Sequence, residues 1–87
     1  ELEEETGLRA GAIQHLGSVL TAPGFCDERI QLFLATELSQ VEQRLGRDEV
    51  LTVRRVPFRE AMRMVARGDI CDAKSIAALH HACDRLD

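Results

Sequence analysis

The chain has 87 residues, of which 45% are hydrophobic and 30% charged, and a formal net charge of −4. That length suits one domain or part of one, and a chain this short buries roughly 60–65% of its unfolded surface, so its own stability is marginal. No basic run, Trp or Tyr supplies a nucleic-acid surface, and no apolar stretch approaches the ~18 residues of a membrane span, so neither partner is expected.

Residues 1–7 read as the end of a helix, closed by Gly7 at a C′ position. Residues 12–21, AIQHLGSVLT, are β-rich and partly alternating, and Pro23-Gly24 then marks a turn. In residues 29–38, RIQLFLATEL, the side chains of Ile30, Leu32, Leu34 and Leu38 recur at period two. Phe33 and Ala35 lie opposite, which predicts a strand buried on both sides. A polar loop, SQVEQRLGRDEV, follows, and residues 51–56, LTVRRV, read as a third strand. Pro57 opens a helix that carries Phe58, Ala61, Met62 and Val65 on one side and stops at Gly68. Asp72 caps a last helix, in which Ile76, Leu79, Cys83 and Leu86 recur at helical spacing. The short link between the first two strands predicts an antiparallel pair. Two helices on a small sheet give an α+β or layered α/β/α arrangement. A first helix this short is unstable alone, so the chain reads as the C-terminal part of a longer protein.

The chemistry begins with ELEEETGL, residues 1–8. On a helix Glu1, Glu4 and Glu5 share one face, and like charges at that spacing repel. A hard divalent cation between them turns repulsion into binding, and Mg²⁺ suits oxygen ligands with several retained waters. A solvated acidic face is the ordinary alternative. His80, His81 and Cys83 do not make a metal cluster, because only His80 and Cys83 share a helical face and no CxxC accompanies them. Cys26 reads as an ordinary loop thiol, Met62 and Met64 as packing residues, and Asp72-Ala73-Lys74 as a helix cap. Three scattered cysteines, Cys26, Cys71 and Cys83, suggest reduced thiols and a cytoplasmic protein.

ELEEETGL resembles the second half of the Nudix box, R-E-U-x-E-E-x-G-U with U a bulky aliphatic residue. Glu1 takes the acid before U, Leu2 takes U, Glu4 and Glu5 take the paired acids, and Gly7 and Leu8 complete it. The first half of the box, with its Gly, its first Glu and the Arg, is absent from this chain. Residues 21–38, TAPGFCDERIQLFLATEL, resemble the segment after the box in the ADP-ribose pyrophosphatases of that superfamily. Pro23, Gly24 and Glu28 fit the proline, glycine and acid found there. The ending VPFREAMRMVARGDICDAKSIAAL is similar to the same group's closing helix pair.

The resemblance implies an α/β/α sandwich with a mixed sheet. It implies hydrolysis of ADP-ribose to AMP and ribose 5-phosphate, with Mg²⁺ or Mn²⁺ held by Glu1 and Glu5 and by Glu4 as ligand or supporting partner. Pro23 and Gly24 would shape a loop beside the substrate, and Glu28 would accept hydrogen bonds from the terminal ribose. The general base would be an acid of the loop GRDEV, residues 46–50, where Arg47 replaces an expected acid. Glu49 is preferred over Asp48 because it matches a frequent Glu of that run. A solvated turn is the bland reading of the same residues. The family also implies a homodimer that exchanges N-terminal strands, so residues 1–87 alone are expected to be inactive. Two rival readings are a Nudix enzyme for another nucleoside diphosphate sugar and a non-catalytic interaction domain of the same fold.

Overall fold

A computed structural model of the protein describes residues 2–42 and 52–86. Chain order is helix α1 (Leu2–Thr6), strands β1 (Leu8–Leu20) and β2 (Arg29–Gln40), and helices α2 (Phe58–Arg67) and α3 (Ala73–Ala82). A single 3-10 turn, Cys83–Arg85, prolongs α3. The fold is α+β, with β1 and β2 paired antiparallel in a two-stranded sheet. The chain divides into two compact units. One comprises Glu1–Ile13 and Ala35–Arg55, the other Gln14–Leu34 and Val56–Asp87.

In the first unit, α1 ends where the sequence predicts. Gly7 has φ 73° and its N–H donates to the Glu3 carbonyl at 2.9 Å. Only glycine takes that left-handed step without a Cβ penalty, which is why the helix turns into a strand there. β1 starts at Leu8, four residues earlier than the β-rich run at 12–21 predicts. Pairing outweighs the weak strand propensity of Arg9-Ala10-Gly11, and the Val41 N–H donates to the Gly7 carbonyl at 2.7 Å.

The third strand expected at 51–56 is not formed over its described residues, 52–56. Residues 52–57 have no regular structure, and Leu51 lies outside the described residues. Its β-branched composition signals propensity only, and a strand also needs a neighbour to take its N–H and C=O groups. Val53 is exposed and the Arg55 guanidinium donates to the Gln40 side chain at 3.3 Å.

In the second unit, Leu16 of β1, Leu32 of β2 and Ala82 of α3 form the buried centre. Val19, Ile30, Leu34, Phe58, Ala77, Ala78 and Leu86 pack around it. Alternation along β2 places Ile30, Leu32 and Leu34 toward α3, as predicted. Burial on both sides is corrected: Phe33 is 57% exposed, its ring set against that of His15 with centroids 5.2 Å apart rather than under a covering element. Leu38, in the first unit, is 49% exposed. It follows Glu37, whose φ of 53° interrupts the regular strand backbone.

Helix α2 starts after Pro57 and stops at Gly68, which is left-handed with φ 88°. Asp72 caps α3 through hydrogen bonds from the Ser75 N–H and hydroxyl at 3.0 and 2.7 Å. Both ends were legible because caps are local chemistry.

Candidate functional site

The predicted site residues fall in both units, and three of them, Glu1, Asp48 and Glu49, lie outside the described residues. Glu4 and Glu5 stand side by side on α1 in the first unit. Glu4 is exposed and Glu5 half-buried. Glu4 lines two hollows of about 390 Å³ each. One is shared with Leu2, Glu3, Ala10 and Ile13, the other with Glu3, Arg9, Val41 and Glu42.

The short helix is braced locally. Thr6 hydroxyl donates back to the Leu2 carbonyl at 2.5 Å and accepts from the Leu8 N–H at 3.1 Å. Arg9, the second residue of β1, folds onto Glu3 and donates from Nε to Oε2 at 3.0 Å and from Nη2 to Oε1 at 3.2 Å. This two-point grip holds the Glu3 carboxyl below the usual carboxylate range and raises the Arg9 guanidinium. Glu3 occupies the free position of the box, and here it is committed to the brace. Glu4 and Glu5 are the described acids of α1 that the resemblance assigns as candidate metal ligands, with Glu1 outside the described residues.

Their chemistry fits Mg²⁺ or Mn²⁺. Carboxylate oxygens are hard donors, and Mg²⁺ binds through one or two carboxylates while keeping water in its other positions. Among the described residues no group of three His, Cys, Asp or Glu side chains is gathered around one point.

Pro23, Gly24 and Glu28 share the hairpin loop of the second unit. The loop turns tightly, with the Phe25 and Cys26 N–H groups both donating to the Ala22 carbonyl at 2.8 and 2.9 Å. A Cβ at Gly24 would meet no atom within 4 Å, so chain packing leaves that face of the turn open. Phe25 is 96% exposed at the tip. The loop's mouth is closed by Thr21 and Glu28. The Thr21 N–H donates to the Glu28 carbonyl at 3.3 Å, and its hydroxyl donates to Glu28 Oε1 at 2.8 Å. Arg29 reaches across to the Ser18 hydroxyl at 2.9 Å.

Two residues escaped the sequence reading. Arg9 sits six positions past Glu3 across a helix, a glycine turn and a strand, a path no periodicity rule covers. Thr21 carried one signal, a β-branched residue two positions before Pro23-Gly24, with the acid Glu28 on the far side of that turn. The histidines are placed as read. His81 packs its ring beside Gly17, and His80 is exposed. Cys26, Cys71 and Cys83 are free thiols. No helix among the described residues is long and apolar enough to cross a membrane.

No family model matches the chain. It is 39% identical over 83 residues to an ADP-ribose pyrophosphatase of Bacillus subtilis (strain 168), covering 93% of this chain and 45% of that protein. It is 41% identical over 85 residues to an ADP-ribose pyrophosphatase of Mycobacterium tuberculosis, covering 91% of this chain and 39% of that one. A GDP-mannose pyrophosphatase of Cronobacter sakazakii is 38% identical over 84 residues, covering 93% of this chain and 44% of that protein. The chain spans less than half the length of these curated relatives. The matched regions are their C-terminal parts.

Proposed function

We propose that the chain belongs to the Nudix hydrolase superfamily and forms the C-terminal part of an enzyme that hydrolyses the pyrophosphate bond of a nucleoside diphosphate sugar, ADP-ribose first among them. One observation carries the reading: the acidic pair Glu4-Glu5, closed by a left-handed Gly7 and with Glu4 lining open hollows, coincides with the box acids of the resemblance. Likeness over nine-tenths of the chain to two ADP-ribose pyrophosphatases supports it.

The roles follow from charge. Glu1 and Glu5, with Glu4 beside them, hold Mg²⁺ or Mn²⁺. When bound, such an ion offsets pyrophosphate charge and makes a coordinated water more acidic. Glu49, or Asp48 in its place, takes the proton from the attacking water. Pro23 and Gly24 shape the loop beside the sugar, and Glu28 accepts hydrogen bonds from its hydroxyls. A homodimer completing its site with strands from the other copy, in the cytoplasm, belongs to the same reading.

A second reading has its own support. Likeness to a GDP-mannose pyrophosphatase at 38% identity makes a different nucleoside diphosphate sugar the rival substrate. One assay separates the two: the full-length protein with Mg²⁺ is offered ADP-ribose and GDP-mannose, and nucleoside monophosphate release is followed. Preference for ADP-ribose is expected. Glu5→Gln removes a ligand charge and should lower kcat by at least about 100-fold, with the loss in part recovered at high Mn²⁺. Activity unchanged in this variant removes Glu5 from the metal site, whereas activity absent from the wild type on both substrates points instead to a non-catalytic interaction domain.

A further inference from the structure

We infer that Thr21 is a positioning residue that aims the Glu28 carboxylate at the sugar hydroxyls of the substrate. The inference rests on the reading that Glu28 contacts the sugar, and adds to it the group that sets where Glu28 points.

Glu28 is exposed on a loop, and a free glutamate there samples many rotamers. An acceptor meant to meet two neighbouring hydroxyls must be held in one of them before the ligand arrives. Thr21 does this from across the hairpin mouth. Its backbone N–H bonds the Glu28 carbonyl at 3.3 Å, so the two residues face each other. Its hydroxyl donates to Oε1 at 2.8 Å, a charge-assisted bond in which the single hydroxyl proton goes to the carboxylate. With that proton committed, the Cys26 thiol, 3.9 Å from the same oxygen, is the donor in their contact. The order Cys26 to Thr21 to Glu28 is therefore directional. Thr21 is β-branched and stiff about χ1, so the backbone of the hairpin fixes the hydroxyl. One acceptor site of Oε1 is thereby taken, which leaves Oε2 to accept from a vicinal diol.

The test is a set of variants in the full-length protein, with ADP-ribose and GDP-mannose as probes and Mg²⁺ present. Thr21→Val keeps the shape and removes the hydroxyl. Thr21→Ser keeps the hydroxyl. Glu28→Gln and the double variant Thr21→Val with Glu28→Gln complete the cycle. For the preferred substrate we expect Thr21→Val to raise KM on the order of fivefold, with kcat within about twofold of wild type. Thr21→Ser should recover most of the KM. In the Glu28→Gln background the valine should add little, because the carboxylate it would release is already altered. A raised KM in Glu28→Gln with an unchanged KM in Thr21→Val overturns the inference and leaves the role of Glu28 standing. Equal effects of the valine in both backgrounds also overturn it, since Thr21 then acts independently of Glu28. An unchanged KM in Glu28→Gln overturns the reading of Glu28 and the inference together. Melting temperatures of all four variants identify a fall in activity that is only a fall in folded protein, and a Thr21→Val effect that vanishes on that correction counts against the inference.

Discussion

A Cβ placed on Gly11 would lie 2.9 Å from both the Cβ and the carbonyl oxygen of Glu37. Glu37 is itself held at φ 53°, a conformation that costs a side-chain-bearing residue about 1–2 kcal/mol. The glycine admits this irregular residue by giving it space. Relief cannot come from a flexible side-chain tip, because one of the overlapped atoms is backbone. Gly11→Ala must displace the β2 backbone, and overpacking of that kind costs about 1–3 kcal/mol. Urea denaturation of the full-length variant should show a lower midpoint at unchanged slope. The displacement also bears on the acidic turn. In the same unit the Val41 N–H, just past β2, bonds the Gly7 carbonyl, so Gly11→Ala should weaken Mg²⁺-dependent activity as well. A variant as stable as wild type would show that Glu37 moves freely.

Helix α3 shows what one cap contributes and how it depends on pH. Asp72 accepts from Lys74 Nζ at 2.9 Å and from the Ser75 N–H and hydroxyl. These bonds, the one from Lys74 foremost, hold its carboxyl below the ordinary range. The folded protein therefore takes up this proton less readily than the unfolded chain. The stabilisation is complete above the unfolded value, about 3.9, and is lost as pH falls through the lowered folded value. Glu60, held down by Arg67 and then Arg63, titrates in the same direction. Asp72→Ala should lower the melting temperature at pH 7 and flatten the fall between about pH 4 and pH 2. Asp72→Asn keeps a capping acceptor, so it should lose less at pH 7 while flattening the acid limb equally. Thermal unfolding across that range decides, and an acid limb as steep as wild type in both variants would assign it to other carboxylates. Such caps explain why α2 and α3 were legible: Pro57, Gly68 and Asp72 act within one turn of chain. The stretch LTVRRV misled for the converse reason. Its valines state a preference, whereas a strand depends on a neighbour that no local residue encodes.

At the scale of the whole molecule the same distinction governs the candidate site. The acids of α1 and the hairpin loop were found by matching local strings, and the brace from Arg9 and the grip of Thr21 on Glu28 were not, because both cross between elements. The packing argues what the chain does alone. Among the described residues the buried hydrophobics are Leu16, Leu32, Ala61 and Ala82, two of them alanines, and no large side chain is fully buried. Ile13 is 67% exposed, with Phe33 and Leu20 also open to solvent. Burial of apolar area is the main favourable term in folding, at roughly 25 cal/mol per Å², and a centre built half from alanine supplies little of it. Residues 1–87 produced alone should therefore unfold at low urea, with a shallow transition in far-ultraviolet circular dichroism, and should not release AMP from ADP-ribose with Mg²⁺. The full-length protein should do so, and adding it in trace to the short chain should give only its own rate. Turnover by the short chain approaching that of the full-length protein would mean that Glu1, Glu4, Glu5 and the loop carrying Asp48 and Glu49 suffice for the chemistry. The upstream half of the box would then be dispensable.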